Sequence, residues 1–351
     1  MDNKKGYFNL NPYIYCMVLV TGGTGLVGSH LLLQLLQDHV SVRATFRAKS
    51  DLDQVLRIFN YYSSKATTLF EKIEWVQADL NNLPELEEAF SNIDLVYHTA
   101  ALISFDPGDY PKLKKINTEG TANIVNLCLA NKVKKLCYVS TIGAIGKSID
   151  GSIAHEENEW IAQNANVYAL TKQAAEMEVW RGAQEGLDMV MVNPGVVLGP
   201  GFWKHGSGSF FSISNKAYAY YPPGGTGFVA VNDVVKALVA LMNSKIVNER
   251  FILVAENLKF KEILGLIAEQ LGKRKPSKEL KKWQLQIGRF FDYSVNLFTG
   301  RGRRITKNSI HSLYHRDEYD NSKIKKAINF QFEPLSKTIA FCCTKFREEN
   351  L

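Results

Sequence analysis

Strands alternating with helices, a glycine-rich turn behind the first strand, and near-continuous apolar strands later predict an α/β chain. The expected architecture is a Rossmann-type doubly wound parallel sheet with a smaller C-terminal substrate lobe. Met17–Thr21 is a short apolar run that ends at Thr21-Gly22-Gly23-Thr24-Gly25-Leu26-Val27-Gly28, and residues 26–36 follow with helical spacing. Residues 40–46 alternate as a second strand and 73–77 form a third. Two further buried strands, 93–98 and 135–140, are reached through helices at 84–90 and 111–131. Residues 163–185 read as a long helix. The strand at 189–193 is apolar almost throughout, which fits burial on both faces.

After Asn193 the rhythm changes. Pro194-Gly195, Gly199-Pro200-Gly201 and Pro222-Pro223-Gly224-Gly225 punctuate the chain. Residues 229–231 and 251–254 look like short returning strands around a helix at 233–243, and 259–271, 280–298 and 335–346 suggest peripheral helices. The division expected is an N-terminal extension at 1–16 and a mainly cofactor-binding domain at 17–193. A mainly substrate-binding lobe covers 194–351, with segments near 226–255 returning to the first domain.

Composition narrows the function classes. In 351 residues, 46% apolar and 22% charged, no run approaches the roughly 18 apolar residues of a membrane span. Residues 13–20 are too short for a signal peptide. Cys16, Cys128, Cys137, Cys342 and Cys343 show no paired metal-ligand spacing, so a reduced, cytoplasmic chain without a metal is expected. The net charge of +7 is uneven: residues 256–351 hold 20 Lys/Arg against 11 Asp/Glu, the remainder 22 against 24. A basic tail of this kind attracts an anionic substrate or membrane surface, or is simply a solvated face.

The glycine turn suits a dinucleotide. Gly22, Gly25 and Gly28 permit a tight turn, close approach to phosphate and close helix packing. With Thr24, they lead into a helix whose first N–H groups, at Leu26 and Val27, face a pyrophosphate. The second strand, Ser41-Val42-Arg43-Ala44-Thr45-Phe46-Arg47, lacks the acidic side chain that commonly accepts the ribose hydroxyls of NAD. A guanidinium at Arg47, or alternatively at Arg43, can clamp a 2′-phosphate, so NADP is expected, with NAD possible. Downstream, Tyr168-Ala169-Leu170-Thr171-Lys172 sets a phenol and an ammonium one helical turn apart. A free tyrosine titrates near ~10. Acid/base work near neutrality asks for about 3 units of depression, or ~4 kcal/mol, for which the ammonium and an oxidised nicotinamide are the available sources.

The glycine turn and Tyr-x-x-x-Lys together resemble the extended short-chain dehydrogenase/reductase family, also called the NAD-dependent epimerase/dehydratase family. Residues 42–47 and Asn193-Pro194-Gly195 through Gly199-Pro200 are similar to its dihydroflavonol-4-reductase-like subgroup. The resemblance implies Asp79 and Leu80 beside adenine, Thr99, Ala100 and Ala101 lining the cofactor cleft after a structural His98, and Asn117 on the nicotinamide side. It makes Thr141 the catalytic hydroxyl with Ser140 beside the cofactor, Tyr168 the proton donor, Lys172 the ribose and pKa partner, and Asn193 a substrate contact. It further implies hydride transfer to a ketone or aldehyde, a small-molecule carbonyl or alcohol substrate, no nucleic-acid partner, and a homodimer built on the helices at 111–131 and 163–185.

Two alternatives remain at this level. A nucleotide-sugar epimerase shares the catalytic set, although Thr226 stands where a pyrophosphate-binding arginine is expected. Ile142 and Gly143 after Thr141 argue against a dehydratase. A nucleotide-sensing regulator has the fold without turnover, but this chain keeps both Tyr168 and Lys172.

Overall fold

The computed structural model describes residues 16–146, 153–163, 165–204, 206–288, 292 and 307–350. Seven strands make the central sheet: β1 (Met17–Thr21), β2 (Ser41–Phe46), β3 (Glu74–Gln77), β4 (Leu95–His98), β5 (Lys135–Val139), β6 (Met189–Pro194) and β10 (Glu249–Leu253). Their spatial order is β10-β6-β5-β4-β1-β2-β3, and every neighbouring pair is parallel. The chain runs outward from β1 through β2 to β3, then restarts on the other side of β1 with β4. That reversal opens a crevice at the carboxyl ends of β1 and β4, the place where doubly wound sheets take ligands.

Alternation along the strands feeds two apolar layers. Val18, Val20, Tyr97, Cys137, Val190 and Val192 face a layer that includes Leu31, Leu32 and Leu35 of α1 (Leu26–Gln37) and Val234 and Leu238 of α9 (Val231–Met242). Leu19, Val96, Leu136, Tyr138, Met189 and Met191 face the opposite layer, with Leu86 of α4 (Leu83–Ala89), Ile124, Val125 and Leu127 of α6 (Gly120–Ala130), and Val179 of α7 (Val167–Gln184). All six residues of β6 are buried, as an inner parallel strand requires. Ile124 and Leu127, on one of the helices expected to build a homodimer and equally open to a core role, belong to the core.

Several expectations are corrected. The long helix begins at Val167 because the Asn166 side chain accepts from the Ala169 N–H (2.8 Å) and caps it there. The helix expected over 111–131 is α5 (Tyr110–Leu113), a π-helical segment Lys114–Glu119, and α6. Two helices between β2 and β3, α2 (Leu52–Tyr62) and α3 (Ala66–Phe70), have no counterpart in the sequence reading.

The region expected to return to the sheet divides. β10 joins the seven strands, whereas β9 (Gly225–Ala230) forms a second sheet with β7 (Val196–Leu198) and β11 (Glu256–Lys259). Beside that sheet, α8 (Ser209–Asn215), α10 (Phe260–Gln270) and a C-terminal helix over Leu335–Asn350 enclose a third core around Phe211, Phe228, Ile263 and Cys343. Of the helix expected over 280–298, residues 282–288 are helical and all later ones except 292 lie outside the described residues, as do 1–15.

Histidine packing ties β1, β4 and α6 together beneath the crevice. His98, wholly buried, has Nδ1 2.6 Å from the Thr21 hydroxyl, Nε2 3.0 Å from the Thr121 hydroxyl, and its ring stacked on Tyr138. Burial, aided by the Lys172 charge, pushes its imidazole down to about 3. Burial likewise lowers His30 on α1 to about 4, opposed by its hydrogen bond to the Leu26 carbonyl. Both rings are neutral in the fold, whereas the unfolded chain takes up these protons near pH ~6.5. Their contribution is therefore complete above that value and is lost on acidification towards the folded values. At about pH 5 the loss amounts to roughly 2 kcal/mol for each ring. Imidazole NMR of the folded protein should show neither ring titrating between about pH 8 and 5; a folded His98 midpoint near ~6.5 would contradict the assignment.

Candidate active site

The crevice is bounded on one side by the glycine turn. Gly22 has φ +75°, and a Cβ there would lie 2.6 Å from Ala100 Cα, so turn and β4 exit touch backbone to backbone. At Gly28 a Cβ would meet the Gly22 carbonyl oxygen at 2.1 Å, which lets α1 start against the turn. Gly25 differs: a Cβ there meets only that same oxygen, at 3.4 Å. Gly25 is the N-cap of α1, no side chain caps it, and no acidic residue stands in the first turn. The first N–H groups, around Leu26 and Val27, are left for an anion, so the cradle fits a dinucleotide pyrophosphate. Thr24 lies half-buried in the turn.

The crevice continues at β4. The Thr99 hydroxyl donates to the Thr21 carbonyl (2.7 Å), while Ala100 and Ala101 remain partly or fully exposed behind it. Leu80 is buried, and the Asp79 carboxylate accepts from the Asn81 N–H (2.9 Å) as a turn-former after β3.

The two arginines of β2 separate cleanly. Arg43 is buried, ion-paired to Glu74 (2.7 Å) and donating to the Ala89 and Ser91 carbonyls (3.0 and 2.7 Å), so it is withdrawn from ligand binding. Arg47, at the strand's exit, is exposed, and its guanidinium makes no contact among the described residues.

On the other wall, α7 lies against the ends of β5 and β6. Lys172 is 1% exposed, and its ammonium donates to the Tyr138 hydroxyl (2.5 Å) and the Val139 carbonyl (2.9 Å). One N–H remains. Burial lowers this lysine to about 7, opposed by the Glu176 charge. One turn further on, buried Glu176 accepts from the Ser140 hydroxyl (2.5 Å) and the Asn193 amide (2.6 Å) and pairs with Arg250 (3.2 Å). Desolvation raises the Glu176 carboxyl, against these hydrogen bonds and the Arg250 charge.

The Thr141 hydroxyl accepts from the Gly143 N–H (3.2 Å), which leaves its own proton free to donate. Half-buried Tyr168 has Phe105 edge-on to its ring at 5.9 Å. Burial pushes its phenol above the ordinary range, with no charged partner opposing it. The expected lowering by Lys172 is therefore absent here, because that ammonium is held by Tyr138 and Val139.

Two asparagines stand apart from their expected roles. Asn117, wholly buried, accepts from the Leu102 N–H (2.8 Å) and donates to the Leu102 carbonyl (3.0 Å) and Thr171 hydroxyl (3.1 Å). It positions the loop after β4 against α7. Asn193 is also wholly buried; its amide nitrogen donates to the Thr141 carbonyl (2.9 Å) as well as to Glu176 and so braces Thr141. Its Oδ1 has no partner among the described residues. Tyr138, Glu176 and Arg250 were missed in the sequence. The one available signal was Glu176 at i+4 from Lys172, continuing the face that carries Tyr168 and Lys172.

Comparison with known proteins agrees with this geometry. The NAD dependent epimerase/dehydratase family matches residues 18–254. Sterol demethylase protein B of Methylococcus capsulatus is 25% identical over 337 residues, covering 95% of this chain and 99% of that protein. Tetraketide alpha-pyrone reductase 2 of Arabidopsis thaliana is 30% identical over 264 residues, covering 71% and 81%. Other relatives include plant dihydroflavonol 4-reductases and cinnamoyl-CoA reductases. Among solved structures, the UDP-glucose 4-epimerase of Thermotoga maritima superposes with a TM-score of 0.74 at 20% identity, over 95% of this chain and all of that one, and shares the fold. The chain belongs to the NAD dependent epimerase/dehydratase family and is, with its reductase relatives, an NAD(P)-dependent oxidoreductase.

Proposed function

We propose that the protein is an NADPH-dependent reductase of a ketone or aldehyde, working as a dihydroflavonol-4-reductase-like enzyme in a reduced, cytoplasmic setting. The observation that carries this reading is the wall built on α7: Tyr168 and Lys172 stand one turn apart on that helix, Lys172 donates to the Tyr138 hydroxyl and Val139 carbonyl at the end of β5, and the Thr141 hydroxyl just beyond keeps its own proton free to donate. Burial keeps the Tyr168 phenol protonated. A protonated phenol is the form that a carbonyl reduction consumes.

A bound nicotinamide supplies the hydride. Thr141 donates to the substrate oxygen and stabilises the charge that develops there. Tyr168 delivers its proton to that oxygen. Lys172, with one N–H beyond those given to Tyr138 and Val139, would help hold the ribose of a bound nicotinamide nucleotide, and its charge would offset charge left on Tyr168. Phe105 beside Tyr168, and Trp160, whose indole N–H donates to the Gly143 carbonyl (3.3 Å), favour an apolar or aromatic carbonyl compound. The epimerase reading loses support from Asn193, whose side chain is wholly buried and whose amide nitrogen is committed to Thr141 and Glu176. A homodimer through α6 and α7 is part of the proposal, with exposed Met177 a candidate contact in place of Ile124 and Leu127.

For the cofactor, Arg47→Ala should weaken NADPH binding by roughly 1–3 kcal/mol, the range for hydrogen bonds to charged groups, with little change for NADH. Arg43→Ala should instead cost folding stability, about 2 kcal/mol, by stranding carbonyls that it now satisfies. Calorimetric titration of both cofactors and denaturant melts separate the two. Equal losses of NADPH and NADH affinity in Arg47→Ala would remove Arg47 from the phosphate site.

For the chemistry, Tyr168→Phe keeps the ring against Phe105 but removes the transferable proton. Turnover with a carbonyl substrate should fall about 10²–10⁴-fold while NADPH affinity holds. Stopped-flow NADPH oxidation measures it. A folded, NADPH-binding Tyr168→Phe protein that turns over like the wild type would refute the assigned role.

A further inference from the structure

The basic C-terminal region has no part in the chemistry above. One part of it, residues 273–288, lies along an edge of the lobe, where β8 (Tyr220–Tyr221) pairs in parallel with β12 (Lys278–Glu279). The Ser277 and Lys278 N–H groups donate to the Ala219 carbonyl, and Leu280 N–H donates to that of Tyr221, so the two segments form one surface. The helical stretch 282–288 follows directly. This surface leaves large apolar side chains in water: Tyr218 is 54% exposed, Trp283 57% and Ile287 49%, with Tyr220 and, on nearby α8, Ile213 also exposed.

Cations surround them. The ammonium groups of Lys216, Lys261 and Lys278 lie 6.0, 5.1 and 5.9 Å from the ring centres of Tyr218, Tyr221 and Tyr220. Residues 273–287 carry six Lys/Arg, all exposed, against Glu279 as the one acid. Among the described residues, only Lys275 of those six is drawn into an ion pair, with Glu269 at 2.9 Å.

We propose that this face docks the protein on the anionic headgroup layer of a lipid bilayer. Tryptophan and tyrosine suit the boundary between headgroups and acyl chains, where one part of the ring is wet and the other is not. Lysines around them meet anionic lipids, and their stems cover apolar surface while the charge stays in water. Two other partners fit less well. A protein–protein interface core is depleted in lysine. A nucleic acid would use the cations and the rings but leave Ile213 and Ile287 without a role. The contact is superficial: among the described residues no helix is long and apolar enough to cross a membrane. The inference does not rest on the carbonyl-reductase reading, and its test reads binding without turnover.

Full-length protein is sedimented with vesicles of phosphatidylcholine alone, or with about three parts in ten phosphatidylglycerol, at about 0.1 M and about 0.5 M salt. Binding is expected only to the anionic vesicles and is expected to weaken at least tenfold at the higher salt. Each lysine at the surface is worth roughly fivefold, so Lys278→Glu with Lys282→Glu should lower partitioning by more than tenfold. Trp283→Ser should weaken it as well. A blue shift of tryptophan emission on vesicle addition should vanish in Trp283→Phe. An unchanged circular dichroism spectrum and thermal midpoint certify that each variant is folded; should the double variant misfold, Lys282→Ala and the emission test carry the same comparison. No binding to anionic vesicles, equal binding by the charge-reversed and Trp283 variants, or tight binding of a single-stranded oligonucleotide with no vesicle binding would each overturn the proposal.

Discussion

Two buried charges on α7, Lys172 and Glu176, hold one wall of the candidate site together. Neither can remain in a low-dielectric interior without partners, and each finds them on a neighbouring strand end. Lys172 is satisfied by Tyr138 and Val139 at the end of β5, and Glu176 by Ser140, by Asn193 of β6 and by Arg250 of β10. One helix is thereby fixed against the carboxyl ends of β5 and β6 and, through the long Arg250 side chain, against the first half of β10. Because Tyr168 and Lys172 share a face of that helix, the same contacts set how far the phenol stands from Thr141. Pulling either charge away would strand polar groups on the other side, so the arrangement resists drift.

The opposite wall is held by shape. The approach of Gly22 to Ala100 and of Gly28 to Gly22 leaves no room for a side chain, and Gly25 alone is open. One wall therefore depends on satisfied charge and the other on the absence of Cβ atoms, and the sheet's reversal between β1 and β4 keeps them facing each other.

This division explains what was legible in the sequence. Steric requirements leave local signatures: the glycine spacing, the alternation of the strands, the all-apolar β6 and the Tyr-x-x-x-Lys turn can each be read within a short window. Long-range partners leave none. Tyr138 is 34 residues from Lys172 and Arg250 is 74 from Glu176, and only folding brings them together. Asn117 and Asn193 show a different difficulty. A motif places a polar residue near a site without saying which way its amide points, and here both amides brace backbone. β9 was misplaced for a similar reason, since a short apolar strand does not reveal which sheet it joins. The helices of residues 52–70 were passed over although Asp51 caps the first by accepting from the Gln54 N–H.

In the reduction proposed above, the electrostatics of the free chain decide where the proton sits before the chemical step. With Lys172 lowered by burial and held on Tyr138, and Tyr168 raised by burial, nothing in the protein alone draws the proton from the phenol. The proposed carbonyl reduction would start from that protonated state and spend the proton as charge develops on the substrate oxygen. The lysine's remaining N–H then has its greatest effect late in the step, when the phenol has become anionic. Stabilisation that grows along the reaction coordinate, and is small in the resting enzyme, lowers a barrier instead of only tightening binding. Holding Lys172 on Tyr138 in the free chain is consistent with that use, because it keeps the buried ammonium solvated by protein until a ligand's hydroxyls reach it.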